Sequence, residues 1–299
     1  MTAPTPLVAT RQIGPWRVHA IQAGGQQLDG GAMFGIVPKP LWERKIPADA
    51  RNRIPMGMRC LLIEHDIGPI LIDAGAGNKE SAKFYDIYGI ENAGPDGRTA
   101  LEAGLAAVGI TPGDVALVID THLHFDHAGG NTYRDADGSI KLTFPKARYV
   151  VQAGEYHYAT HTNERTAGSY FDHNYVPVQE AGRFDLIDGE RELVPGIRLV
   201  PTPGHTPHHQ SVLVGSGGEQ ALFAADLVPT AAHLPLAWIM GYDVEPLVTL
   251  ETKRRILARA VAEDWLLIFE HDAITPWGRV AYDGRTYGLG ELDSPAGPA

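Results

Sequence analysis

Short apolar runs separated by turn residues dominate the chain. Residues 16–22 alternate as a half-buried strand does, and 59–64 and 69–73 flank the turn-rich His65–Asp66–Ile67–Gly68, which predicts a hairpin. Residues 98–108 carry helical periodicity and stop at Gly109. Residues 115–119 form a short apolar strand that delivers the chain directly to Thr121. The second half repeats the theme, with strands expected at 147–151, 197–200, 211–214, 221–224 and 265–269. Residues 250–262 read as an amphipathic helix with Arg254, Arg255 and Arg259 on its polar side. Two sheet-plus-helix halves of this kind predict a layered α/β sandwich sharing one cleft.

Three stretches depart from the pattern. Residues 24–55 are rich in Gly and Pro and carry the exposed-looking Met33, Phe34, Ile36, Val37, Leu41 and Trp42. A long ordered loop of this type serves binding or an interface, or else packs over a sheet edge. Residues 156–176, with His157, His161 and His173, read as an irregular helical region. After His271 only a tail is expected, over 284–299, mobile at its Ser294–Ala299 end.

Composition narrows the function. A chain of 299 residues with 44% hydrophobic content is globular, and its formal net charge of −11 disfavours a nucleic-acid partner, because phosphate binding draws on clustered Lys and Arg. The single cysteine, Cys60, excludes an intramolecular disulfide and a cysteine-based metal site, and it reads as a small buried thiol in a strand. The start of the chain lacks the basic-then-apolar order of a secretion signal, and no apolar run reaches membrane-spanning length. A cytoplasmic protein without membrane association is the expectation.

The densest chemistry lies in Thr121-His-Leu-His-Phe-Asp-His-Ala-Gly-Gly130. A lone histidine is usually a surface or satisfied core residue, but three beside a carboxylate are not explained that way. Residues two apart on an extended strand end point the same way, so His122 and His124 can reach one point in space. Asp126 and His127 follow where the chain turns towards a helix and address a neighbouring point. Gly129 and Gly130 remove side-chain bulk and let backbone pack close beneath. Imidazole with carboxylate suits zinc or another borderline divalent metal.

This H-x-H-x-D-H stretch, following an apolar strand, resembles the signature of the metallo-β-lactamase superfamily. Further elements match in order: Thr202-Pro-Gly-His205-Thr-Pro, Leu222-Phe-Ala-Ala-Asp226, Phe269-Glu-His271, and Pro69-Ile-Leu-Ile-Asp73-Ala-Gly75. The resemblance implies a four-layer αββα sandwich, two mixed sheets flanked by helices, as a single domain over 1–299. It implies two divalent ions, zinc first among Zn, Mn, Fe and Co, one on His122, His124 and His205 and the other on Asp126, His127 and His271, with Asp226 and a water or hydroxide between them. Asp73, His209 and Asp272 are expected behind the ligands, orienting imidazoles; His208 stands near the site or on a solvated loop.

Within the superfamily, Asp226 separates this chain from the β-lactamases proper, and His124 separates it from the flavodiiron proteins. Glyoxalase II adds a helical extension that the short stretch after His271 does not offer, and the tRNA-processing nuclease needs a basic surface. The resemblance therefore implies a hydrolase of the quorum-quenching N-acyl homoserine lactonase kind, acting on a small lactone or ester, with Asp226 holding the ions and Asp126 passing a proton to the leaving oxygen. A phosphotriesterase or arylesterase using the same centre is the alternative enzyme, and a metal-stabilised binding domain without catalysis the alternative outside enzymes. Some lactonases place a tyrosine three residues after the bridging aspartate, where this chain has Pro229. His233 or Tyr242 is expected to replace it, with Met33 and Phe34 lining the acyl pocket; a homodimer through 24–55 is a further expectation.

Overall fold

In the computed structural model, which describes residues 7–216 and 218–290, two seven-stranded sheets face one another. The first half supplies β1 (Val8–Ile13), β2 (Trp16–Asp29), the short helices α1 (Gly30–Phe34) and α2 (Lys39–Trp42), β3 (Arg53–Glu64), β4 (Ile70–Ile72), α3 (Ala82–Tyr88), α4 (Ala100–Ala107) and β5 (Leu117–Ile119). The single turn α5 (Phe125–Ala128) follows, then a small hairpin of β6 (Thr132–Arg134) and β7 (Ile140–Leu142), and then β8 (Arg148–Gln152), α6 (Ala153–Thr160), α7 (Val176–Glu180) and β9 (Phe184–Ile187). The second half supplies β10 (Arg191–Val194), β11 (Ile197–Pro201), β12 (Gln210–Val214), β13 (Ala221–Phe223), α8 (Pro246–Ala262), β14 (Leu266–Ile268), β15 (Trp277–Tyr282) and β16 (Tyr287–Leu289).

The strand orders are β1-β2-β3-β4-β5-β8-β9 and β10 to β16 in sequence, and each sheet mixes antiparallel pairs with parallel ones. Alternation along the central strands builds the layers. Leu61 and Ile63 of β3, Ile70 and Ile72 of β4 and Leu117 and Ile119 of β5 pack with Val212, Val214, Phe223 and Ile268 of the other sheet in one core. Their neighbours Cys60, Leu62, Leu71 and Val118 face outwards under α4 and α6, with Leu101, Leu105 and Ala159. On the far side Leu213, Leu222 and Leu267 pack beneath Ile256, Leu257 and Ala260 of α8. Strands buried on both faces read as continuous apolar runs, and each such Leu or Ile taken from water contributes roughly 1.5–3 kcal/mol. Helix α4 begins at Thr99 with a reciprocal Thr99–Glu102 capping box and ends before Gly109 at φ 78°.

Two expectations are corrected. Residues 24–55 are not a loop with an exposed apolar face: β2 runs on to Asp29, β3 starts at Arg53, and Met33, Phe34, Val37 and Trp42 are buried with Ile54, Met56 and Met240 in a small core of their own. Gly30 makes this possible, because a Cβ there would strike the Trp42 ring. Only Ile36, 90% exposed, and Leu41 point outwards. The chain after His271 is not a tail: β15 and β16 add a hairpin to the second sheet, and the stretch expected as tail from 284 carries the strand Tyr287–Leu289. Residues 291–299, including the Ser294–Ala299 end, lie outside the described residues. Among the described residues no helix is long and apolar enough to cross a membrane.

Candidate metal centre

The carboxyl ends of β4, β5, β13 and β14 open towards one cleft, the place where α/β sheets present loops to ligands. Strand β5 ends at Ile119, and extended chain then carries His122 and His124 into the cleft before α5 turns Asp126 and His127 alongside. Gly129 and Gly130 lie so close to the backbone of Ala76 and Ala74 that a Cβ on either would collide, as the sequence implied. Asp73 after β4 and Ala225 before Asp226 both take left-handed backbone, φ 55° and 46°. Such strain, held by the surrounding structure, recurs where side chains must be aimed.

Seven side chains meet in two groups. In the first, His124 Nδ1 lies 3.0 Å from His122 Nε2 and 3.1 Å from His205 Nε2, which is 2.9 Å from Asp226 Oδ2. In the second, His271 Nε2 is 3.2 Å from His127 Nε2, and Asp126 oxygens lie 3.8 Å from each ring. Asp226 stands between them, with Oδ1 3.0 Å from His271 Nε2 and Oδ2 3.5 Å from His127 Nε2.

These atoms fit divalent ions better than they fit one another. Ligand atoms around a tetrahedral ion, each about 2.0–2.1 Å from it, stand about 3.3 Å apart. His124 Nδ1 faces two imidazole nitrogens at once, and buried Asp226 Oδ1 has no hydrogen bond despite its close imidazole. The outward nitrogens are tied instead. His205 Nδ1 donates to Asp243 Oδ1 at 2.9 Å, His271 Nδ1 to the Gly57 carbonyl at 2.8 Å, and His127 Nδ1 to Asp73 Oδ2 at 3.1 Å. His122 Nδ1 reaches Thr121 Oγ1 at 3.1 Å, whose hydroxyl donates to Asp73 Oδ2 at 2.7 Å. Fixing each outer N–H aims the inner nitrogen at the point where a cation would sit.

Electrostatics follow from burial. Burial and the neighbouring imidazoles hold His122 and His124 well below the usual imidazole range, so both are neutral. Burial works against charge on His205 and His271 too, but Asp226 outweighs it, lifting them to about 10 and about 9. A cation entering here displaces those protons.

The other expected site residues divide. Asp73 holds His127 directly and His122 through Thr121. His209 bonds Thr202 Oγ1 at 2.8 Å and accepts from the Asp226 amide at 3.3 Å; burial pushes it down to about 3, so it is neutral. Met33 and Tyr242 line the cleft with Leu28, Tyr88, Phe125 and Met240. Phe34 and His233 do not: both are buried behind the wall, their rings stacked at 4.5 Å, with His233 Nε2 bonded to the Met33 carbonyl at 2.8 Å. Asp272 touches no imidazole. Its carboxylate accepts from the amides of Ala231, Ile274 and Thr275, because successive residues of extended chain face opposite ways and Asp272 turns away from His271. His208 is exposed and sits over Gly154. Pro229 tethers His271, its carbonyl accepting from the His271 amide at 2.9 Å.

Four residues escaped the sequence reading: Asp243 behind His205, Glu155 behind the His122–His124 segment, Glu270 beside His127, and Gln26, whose amide donates to Asp126 Oδ2 at 2.6 Å. Glu270 stands inside the Phe269-Glu-His271 element beside its histidine, while Asp243, Glu155 and Gln26 sit in no motif and no local signal marks them. Because His233 supports the wall and stays out of the cleft, His233→Ala is expected to cost roughly 2–4 kcal/mol in a denaturant melt through the cavity and the orphaned Met33 carbonyl. Metal content should be unchanged; loss of metal at full stability would return the residue to the site.

Known proteins resemble this chain in sequence and fold. The Metallo-beta-lactamase superfamily profile matches residues 57–271. An N-acyl homoserine lactonase from Bacillus sp is 32% identical over 232 residues, spanning 71% of this chain and 80% of that protein. Among solved structures, a probable metal-dependent hydrolase from Staphylococcus aureus superimposes with TM-score 0.83 at 33% identity, covering 95% of this chain and all of that one (100%). A dizinc quorum-quenching lactonase shares the fold at TM-score 0.78 and 17% identity, covering 97% of this chain and 98% of its own. The family match spans the β4 strand end, every histidine of the two groups and Asp226, and on it the chain belongs to the metallo-beta-lactamase superfamily as a metal-dependent hydrolase.

Proposed function

We propose that the protein opens lactone rings, N-acyl homoserine lactones foremost, at a centre of two divalent ions, zinc by preference. The observation that carries this reading is two adjacent ligand groups in a cleft with one apolar wall, Asp226 of the first standing 3.0 Å from His271 and 3.5 Å from His127 of the second. The 32%-identical lactonase supports the substrate class. His122, His124 and His205 would hold one ion, Asp126, His127 and His271 the other, with Asp226 common to both. When bound, such a pair supplies the acidity that makes a hydroxide nucleophile available near neutral pH and the positive charge that a developing oxyanion needs.

The chain's own residues do the rest. Asp126 lines the cleft, held by Gln26, and in this reading takes a proton from the attacking water and passes it to the leaving alkoxide as the ring opens. Burial pushes the Tyr242 phenol up to about 12, so it keeps its O–H as a donor for the substrate carbonyl, the job a tyrosine at position 229 would otherwise do. Leu28, Met33, Phe125, Met240 and Val244 offer the acyl chain an apolar wall, and Arg165, Thr166 and Ser169 face it with polar groups for the amide.

Metal-quantified protein assayed by acid release on short- and long-chain acyl homoserine lactones tests this. Turnover is expected, lost with a chelator and restored by zinc. No lactone turnover with the ions in place, or paraoxon or aryl ester turnover far above it, would overturn the reading.

A further inference from the structure

We infer that Glu270 is a positioning residue for the ion on Asp126, His127 and His271, strengthening that ion's hold through His127. The inference rests on the two-ion reading above and concerns a side chain that reading does not use.

Glu270 lies between the end of β14 and His271 and is fully buried. Its Oε1 is 3.1 Å from His127 Nδ1, the same nitrogen that lies 3.1 Å from Asp73 Oδ2. One imidazole N–H thus faces two carboxylates and can bond one at a time. Asp73 is also satisfied elsewhere, by the Thr121 amide and hydroxyl, each at 2.7 Å. Glu270 is not: neither oxygen has a hydrogen-bond partner. Nearby Arg59 spends its guanidinium on the carbonyls of Phe269 and Asp272, either side of Glu270.

Placing an acid where no donor meets it costs several kcal/mol, which the packing alone does not return. Arg59 and His271 offer some charge nearby without bonding it, and the compensation that meets a Glu270 oxygen directly is positive charge on or beyond the His127 ring. A carboxylate behind a ligating imidazole fixes the ring and makes its inner nitrogen a stronger donor, and here two carboxylates act on one ring. Among the described residues the outer nitrogens of the other group show no such pair: His205 Nδ1 meets Asp243, and His122 Nδ1 reaches Asp73 through Thr121.

Glu270→Gln keeps shape and removes charge. Wild-type and variant holoenzyme, equilibrated against graded chelator with zinc counted per chain, should both release ions in two steps. In the variant one step should move to roughly 10–100-fold lower chelator concentration and the other stay put. Glu270→Met, which removes the charge without burying an amide, should show the same shift, with circular dichroism confirming the fold of each. Wild-type release in two steps with both steps unchanged in the variants overturns the inference alone. A third wild-type ion lost in Glu270→Gln also overturns it, by making Asp73, His127 and Glu270 a site of their own. A wild-type chain holding a single ion defeats the two-ion reading and this inference with it.

Discussion

Asp226→Asn is expected to lower lactone turnover by roughly three orders of magnitude or more and to leave fewer than two ions per chain. Among the described residues Asp226 is the one side chain whose oxygens approach both groups: Oδ2 lies 2.9 Å from His205 and 3.7 Å from His122, and Oδ1 3.0 Å from His271. Asparagine keeps the size but replaces one oxygen with an N–H₂ donor aimed at imidazole lone pairs, and it removes the charge that balances cations in a buried site. His124→Ala, which touches the first group alone, should be milder in ion count. Because Asp226 holds His205 and His271 protonated up to about 10 and about 9, entering ions compete with those protons. Ion retention should therefore weaken as pH falls, and Asp226→Asn should flatten that dependence. Metal analysis beside a pH series of turnover checks this; a variant holding two ions within tenfold of wild-type activity would refute it.

Much of the fold was legible because the central strands are buried on both faces and so read as unbroken apolar runs, from Cys60–Leu61–Leu62–Ile63 to Leu266–Leu267–Ile268. The candidate ligands were legible as a cluster because four of the seven fall within six residues, and the rest follow strand ends within a few residues. Residues 24–55 misled because Met33, Phe34 and Trp42 are spaced by short turns, not by a helix or strand period, and their burial depends on Met240 from the far half of the chain. Asp272 was favoured by adjacency to His271, where the alternation of extended chain instead turns both it and Glu270 away from that ring's side. Asp243 meets His205 across 38 residues and Glu155 meets Thr206 across 51, so a single carboxylate in the sequence carries no trace of either.

Glu155→Ala is expected to cost about 3–5 kcal/mol in urea and to loosen the ion on His122, His124 and His205. Glu155 sits in the first turn of α6, where a helix favours an acid, but it is fully buried, and burial pushes its carboxyl up. Three donors offset that penalty. Oε1 accepts from the Leu123 amide at 3.1 Å and the Tyr170 hydroxyl at 2.8 Å, and Oε2 from the Thr206 hydroxyl at 2.6 Å. Leu123 lies between His122 and His124, Thr206 follows His205, and the Tyr170 ring stands 4.6 Å from the ring of His124. One carboxylate therefore pins the two segments that present His122, His124 and His205, together with the Tyr170 ring packed on His124. Alanine strands all three donors in a dry interior, at about 1–3 kcal/mol each before relaxation. Glu155→Gln should be far milder, about 1 kcal/mol, since its oxygen can still serve Leu123 and Tyr170 while its amide donates to Thr206 Oγ1. Urea melts at fixed metal, paired with zinc counts, separate the two variants. An alanine variant within 1 kcal/mol of wild type and holding its full zinc would show that backbone alone, and not Glu155, aims these histidines.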